Sequence, residues 1–457
     1  MKYLTSLLCF TFVLMISNSA LGQSVLTASI TENAENLITN ATSSDTGWQR
    51  LTYMGDKFGP RLSGSENLEN AIDWIASEMK ADGFDKVWKQ PVMVPHWVRG
   101  EESATLLSPR KKDLPMLSMG GSVATTGDGI TAEVIVVKSF DGLEQVKDQV
   151  EGKIVLYNAA FTSYGQTVQY RMRGAIEAAR HGAVASLIRS VGPFSMQTPH
   201  TGTMSYNEDI PKIPHAAITL EDATMIQRMY DRGETIEVNL KLNAETLPDA
   251  QSHNLIAEYR GSEHPEEIIV MGGHIDSWDV GTGMMDDGGG CVAAWEAVRL
   301  MKELGIRPKR TIRIVLWTNE ENGLRGAEEY HRWVKEEEQS LENHVLAIES
   351  DGGVFDPVGF GFSGSEQAFE VLSEIGSLLE PIESGDVRKG GGGADIGPLM
   401  RDGVPGMGLI VDGNYFWYHH TPADTIDKLS KEEFDQCVAT MAVFAYLVAD
   451  LEETLPR

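Results

Sequence analysis

From about residue 254 onward, apolar strand-like runs alternate with helical ones, and this alternation leaves the chain few folds to choose from. Runs at 268–273, 311–317, 345–348 and 406–411 are short and largely apolar, as strands covered on both faces are. The spacing of apolar residues predicts helices over 288–304, 326–338 and 367–379, and a long final helix from about Lys431. Strands and helices in this succession predict an α/β fold: a mainly parallel, mixed sheet flanked by helices. Such a sheet brings the carboxyl ends of its strands to one edge, where open α/β sheets bind ligands.

The residues that follow the four strands are chemically alike. After the first come Gly272-Gly273-His274-Ile275-Asp276-Ser277, then Met285-Asp286-Asp287-Gly288 opening a helix. After the second come Thr318-Asn319-Glu320-Glu321, and after the third Glu349-Ser350-Asp351-Gly352-Gly353. The fourth strand and its loop lead to Tyr418-His419-His420-Thr421, with Asp424 beyond. Each motif alone has an ordinary explanation: a hydrogen-bonded surface pair, a turn or cap, a complement to a helix dipole, a solvated loop. Recurring along one sheet edge, they are not independent accidents.

Histidines and carboxylates together make a mixed nitrogen and oxygen environment. That suits zinc, and two zinc ions sharing a bridging carboxylate suit it better than one. His274 and Asp276 are two apart on an extended stretch, so one can bind metal while the other holds its second ring nitrogen. Glu320 and Glu321 are adjacent and point in different directions. One can ligate while its neighbour faces the substrate water as general base.

The remainder frames this segment. Residues 23–100 read as helical and then extended, with a helix over 66–79 after the turn-rich Gly59-Pro60-Arg61-Leu62-Ser63-Gly64. From 115 to 245 short β-rich runs (132–137, 153–157, 235–240) surround one helix near 173–181, which reads as an inserted domain. Residues 23–114 and 246–457 then form the main domain. Lys2, the apolar stretch 3–16 and Ala20-Leu21-Gly22 read as a signal peptide over residues 1–22, so the expectation is a secreted or periplasmic protein starting near Gln23. No later run reaches the length of a membrane span. Cys9 departs with the leader, leaving Cys291 and Cys437 as buried thiols in apolar helical patterns. With 38 basic against 67 acidic residues the net charge is −29, which argues against a nucleic-acid partner.

In order and spacing these motifs resemble the co-catalytic di-zinc exopeptidases, the family of bacterial leucyl aminopeptidases and glutamate carboxypeptidase. The likeness covers nearly all of the chain after the leader, with the Gly59–Gly64 segment, an insert in the position of a protease-associated domain, and every metal motif. It implies that His274 and Asp351 hold one zinc, that Glu321 and His420 hold the other, and that Asp286 bridges both, its peptide bond to Asp287 being cis. It implies Glu320 as general base and Asp276 as the residue orienting His274. The family places the last ligand directly before Thr, which selects His420 over His419. The implied activity is hydrolysis of unblocked dipeptides or short peptides beneath the insert as a lid, with broad aminopeptidase action as the alternative. More distant alternatives on the same fold are a glutaminyl cyclase with one zinc and a binding homologue that has lost its ligands; the latter requires substitutions that this chain does not carry. The resemblance also implies a homodimer; Tyr415-Phe416-Trp417-Tyr418 reads first as packing around His420, with pocket wall or partner surface as the alternatives. The Gly390–Gly393 run before Ala394-Asp395-Ile396 is expected as a flexible loop near the pocket. No substrate-binding residue is identified.

Overall fold

A computed structural model describes residues 26–457; the leader, its cleavage position and Cys9 lie outside the described residues. The described residues form two eight-stranded sheets. Across the larger one the strands run Lys86–Val98, Glu245–Tyr259, Arg310–Trp317, His264–His274, His344–Glu349, Gly406–Asp412, Asp356–Ser363 and Asp386–Lys389. The four from Arg310–Trp317 to Gly406–Asp412 are mutually parallel, and they are the four apolar runs of the sequence. Every residue of Arg310–Trp317 and of His344–Glu349 is buried, which accounts for their lack of polar alternation. The flanking strand Glu245–Tyr259 pairs antiparallel on both sides, and Asp356–Ser363 pairs antiparallel with Gly406–Asp412, so the sheet is mixed.

Helices cover both faces. On one side Gly289–Glu303 and Lys431–Asp450 pack with Ala28–Ala41, Thr46–Phe58 and Glu66–Ala81 around the largest apolar core. On the other, Ala327, Tyr330 and Val334 of helix Arg325–Glu336 pack with Trp317 and Val270 of the sheet. Local signals set the helix starts. The Ser65 hydroxyl accepts the N–H of Leu68, and Leu68, Ile72, Ile75 and Met79 then form the buried stripe. Cys291 and Cys437 are free and buried in this core.

The second sheet runs Lys112–Leu114, Glu102–Ser108, Glu237–Leu242, Ile130–Val137, Ile154–Tyr157, Ala185–Arg189, His215–Ile218 and Met116–Ser118. It therefore begins at Glu102, not at residue 115 where the sequence texture divides the chain. The strand Glu102–Ser108 buries Ala104 and Leu106 and exposes its alternate residues, and such a period-2 pattern looks the same whichever sheet receives it. The insert is also less purely β than its sequence texture: helices Phe140–Gln145, Gln169–Arg180 and Leu220–Asp231 flank three parallel strand pairings. Gly100 sits where the chain crosses between the sheets, at φ +67, and a Cβ there would lie 2.6 Å from the carbonyl of Asn243.

Candidate metal centre

The four parallel strands end side by side and deliver their acidic and histidine residues to one buried cavity floor. His274, the last residue of its strand, places Nε2 3.1 Å from Asp286 Oδ1 and 3.3 Å from Asp351 Oδ1. Opposite, His420 Nε2 lies 3.0 Å from Glu321 Oε2 and 3.4 Å from Asp286 Oδ2. Asp286 thus turns one oxygen toward each histidine, and its Oδ2 has no hydrogen-bond donor among the described residues. The Asp286–Asp287 peptide bond is cis. His419 stacks on His420 with ring centroids 3.6 Å apart and reaches Asp286 Oδ2 at 3.6 Å, but within 4 Å only His420 also meets Glu321. All five residues that the resemblance implies as ligands converge here.

The donor set fits zinc: each cluster pairs an imidazole nitrogen with carboxylate oxygens, and ligand atoms from His274, Asp286 and Glu321 lie within 4.8 Å of one another. Electrostatics point the same way, because so many buried carboxylates repel one another without cations among them. Burial, reinforced by Asp351, Asp276 and Asp286 and opposed by His274, pushes the Glu320 carboxyl up to about 8. Burial and Asp286 raise Glu321 well above the usual range. Burial works against charge on His274, yet hydrogen bonds to Asp286 and Asp351 hold its pKa well above the ordinary value.

Three further carboxylates grip the backbone of the segments that carry the clusters, and one of them, Asp287, also has an oxygen within 4.8 Å of ligand atoms of His274 and Asp351. Asp276 requires a correction. Its backbone carbonyl, not its side chain, meets His274 Nδ1 at 3.0 Å, while the nearest carboxylate oxygen is 3.8 Å away. The carboxylate accepts the N–H groups of Glu320 at 3.0 Å and Glu321 at 3.3 Å, and the Ser63 hydroxyl at 3.3 Å. Two side chains at i and i+2 share a face only along extended chain, and the strand stops at His274. Asp287 accepts the N–H groups of His274 and Gly290 at 3.1 and 3.0 Å. A Cβ at Gly273 or Gly290 would lie 2.0 or 2.4 Å from its oxygens, so glycine is required at both positions. Asp424 accepts the N–H groups of Met284, Met285 and Asp286.

The Gly59–Gly64 segment belongs to the same support. Fully buried Arg61 donates to the carbonyls of Ile275, Gly59, Thr282 and Gly283 at 2.8, 3.1, 2.7 and 2.8 Å. Asn319 and His420 both hold left-handed backbone, at φ +68 and +58, as non-glycine residues at functional sites do.

Above the clusters lies a pocket of about 480 Å³ with Glu320 among its lining residues, walled by Tyr415 and Phe416 and by Tyr164 and Arg171 from the insert. The last two have no signal in the sequence. Arg171 Nη1 lies 3.2 Å from His420 Nδ1 and Nη2 donates to the Tyr164 hydroxyl at 2.9 Å, while no carboxylate pairs with it among the described residues. The N–H of Thr201, also in the insert, donates to the carbonyl of His420 at 2.8 Å, and its own carbonyl faces His420 Nδ1 at 3.3 Å. Tyr415 and Phe416 are pocket wall, whereas Trp417 stacks on Phe194 of the insert at 4.3 Å. Gly391, Gly392 and Gly393 of the glycine run line a separate surface depression with Met400 and Arg401.

Residues 254–445 match the model of peptidase family M28, and over 423 residues the chain is 49% identical to carboxypeptidase Q of Bos taurus, covering 92% of this chain and 89% of that one. The chain belongs to peptidase family M28. It is a metallopeptidase, and its mixed α/β sheet is the fold of its M28 relatives. Carboxypeptidase Q of Homo sapiens is 47% identical with the same coverage. The crystal structure of a peptidase M28 precursor from Shewanella amazonensis superposes with a TM-score of 0.88 at 37% identity, covering 94% of this chain and 98% of that one. A zinc aminopeptidase of Bacillus subtilis shares the fold, with a TM-score of 0.67, 22% identity and coverage of 90% and 98%.

Proposed function

We propose that this M28 peptidase is an exported di-zinc exopeptidase that hydrolyses unblocked dipeptides and short peptides. The observation that carries the reading is Asp286, whose two carboxylate oxygens face two different histidines. His274 and Asp351 would hold one zinc, Glu321 and His420 the other, with Asp286 shared. Zinc bound there would polarise the scissile carbonyl and lower the pKa of the attacking water. Glu320 reaches the pocket without facing either histidine within ion-pair distance, so it is free to act on substrate. It takes the proton of the water as the new C–O bond forms, and returns it to the amine nitrogen as the C–N bond breaks. Asp276 keeps that carboxylate in place through the Glu320 backbone.

The preference for short, unblocked substrates rests on the insert, which we read as a protease-associated lid. It brings Arg171 to the pocket wall with no carboxylate partner among the described residues, and a guanidinium so placed suits a free carboxylate end of a substrate. A pocket of about 480 Å³ suits a small ligand rather than a folded chain. Export rests on the Lys2 and 3–16 leader pattern. The name carboxypeptidase Q, carried by relatives at nearly half identity, agrees with action at a free carboxyl end.

Hydrolysis of free, amino-acetylated and carboxyl-amidated dipeptides, with and without a zinc chelator, tests the reading. Chelator-sensitive cleavage restricted to free dipeptides is expected. Cleavage of amidated as readily as free peptides would make the enzyme an aminopeptidase, and no cleavage with zinc bound would overturn hydrolysis by a zinc-activated water with Glu320 as base.

A further inference from the structure

Asp424 lies in the loop that carries His420 and is 4% exposed, but it does not line the pocket and faces neither histidine within ion-pair distance. Its carboxylate accepts three consecutive backbone N–H groups: Met284 at 3.0 Å and Met285 at 2.8 Å on Oδ1, and Asp286 at 3.2 Å on Oδ2. Its own backbone carbonyl accepts the N–H of Thr282 at 2.8 Å. Every one of these bonds lands on the short segment that ends in Asp286. Charge-assisted bonds of this kind, out of water, hold a backbone segment firmly.

The two halves of the metal centre differ in how much they need such a tie. In the sheet His274 pairs with Trp317 and Glu349 with Gly272, and Asp351 follows two residues after Glu349. His420 and Asp286 lie in no strand, and the two loops that bear them meet through Asp424. We infer that Asp424 is a positioning residue: by tying the His420 loop to the backbone of Asp286, it sets the spacing among Asp286, Glu321 and His420 as a set of metal ligands. This rests on the ligand assignment proposed above. Loss of a residue that orients ligands typically weakens metal binding by about 10- to 100-fold.

The test is a competition titration of zinc against a chromophoric chelator on the full mature chain, with His420→Ala marking which binding step belongs to His420. Asp424→Ala should weaken that step by roughly 10- to 100-fold and the other step, which has Asp286 in common with it, clearly less. Asp424→Asn keeps one acceptor oxygen and should weaken it less, with an unchanged melting temperature for the metal-free protein. Equal weakening of both steps, or weakening matched by a lower metal-free melting temperature in Asp424→Asn, would reduce Asp424 to general support and overturn the inference. So would unchanged zinc binding in both variants. A wild-type protein with a single zinc step would refute the two-ion assignment instead. The inference is then judged on that step, where weakening in Asp424→Asn with intact metal-free melting upholds it and unchanged affinity overturns it.

Discussion

The floor of the site and its walls are built in different ways. The floor, with His274, Glu320, Glu321 and Asp351, hangs from the ends of parallel strands whose register is fixed by backbone pairing: Gly272 lies opposite Val315 on one side and Glu349 on the other. The wall, with Tyr164 and Arg171, is assembled from a remote insert that meets the loop bearing His420 through single contacts such as Thr201 to His420. A sheet edge places side chains by geometry that the sequence period already encodes. A wall of this kind depends on tertiary packing between residues hundreds of positions apart. Chemistry should accordingly be most sensitive on the floor, and substrate preference most sensitive on the wall.

The largest expected effect tests the floor. Glu320→Gln should lower kcat on a free dipeptide by about 10²- to 10⁴-fold, the usual contribution of a general base, while zinc content by metal analysis stays that of the wild type. Its neighbour should behave differently, since Glu321→Ala removes a proposed ligand and should lose zinc before anything else. A near-normal kcat in Glu320→Gln would mean that the sheet edge does not supply the base.

The next effect tests the wall. Arg171→Met should lower kcat/KM for free dipeptides by roughly 10- to 100-fold, the worth of about 1.5–3 kcal/mol for a hydrogen bond to a charged group, and change amidated substrates little. A comparable fall for both substrates would show that Arg171 acts through His420, whose Nδ1 it also approaches at 3.2 Å, and not on a substrate carboxylate.

The same division explains what can be read from the sequence. The four parallel strands and their helices carry strong periodic signals, so the fold and the convergence of His274, Asp286, Glu320, Glu321, Asp351 and His420 are legible. Asp276 is legible as a site residue but not in its role, because residue spacing says nothing of where a chain turns after its strand ends. The strand Glu102–Ser108 belongs to the second sheet although its sequence groups it with the first, because a half-buried strand reads the same in either. Arg171, Tyr164 and Thr201 are invisible. A lone Arg or Thr in an insert has no local pattern, and its proximity to His420 exists only after two sheets have packed.

A smaller effect asks whether floor and insert hold together as one cooperative unit. Each contains a fully buried neutral histidine. His344, on a strand of the larger sheet, donates from Nδ1 to the Ser340 carbonyl and accepts from the Tyr330 hydroxyl, both at 2.9 Å. His215, in the second sheet, lies with its ring nitrogens 3.3 and 3.1 Å from the carbonyls of Ser186 and Arg171. Burial lowers the pKa of each to about 4, against about 6.5 in an unfolded chain. Below about pH 6.5 the unfolded chain takes up a proton that the fold refuses, so this contribution is intact above that pH and is lost as pH falls toward 4. Within that window each ring removes up to about 1.4 kcal/mol per pH unit. Urea unfolding of the metal-free protein between pH 7 and 5 should therefore give one transition whose pH slope His344→Gln and His215→Gln each reduce by a similar amount. Two transitions, each responding to only one of the variants, would show that the insert unfolds on its own. The wall would then be secured to the floor only by contacts such as Thr201 to His420 and Phe194 to Trp417.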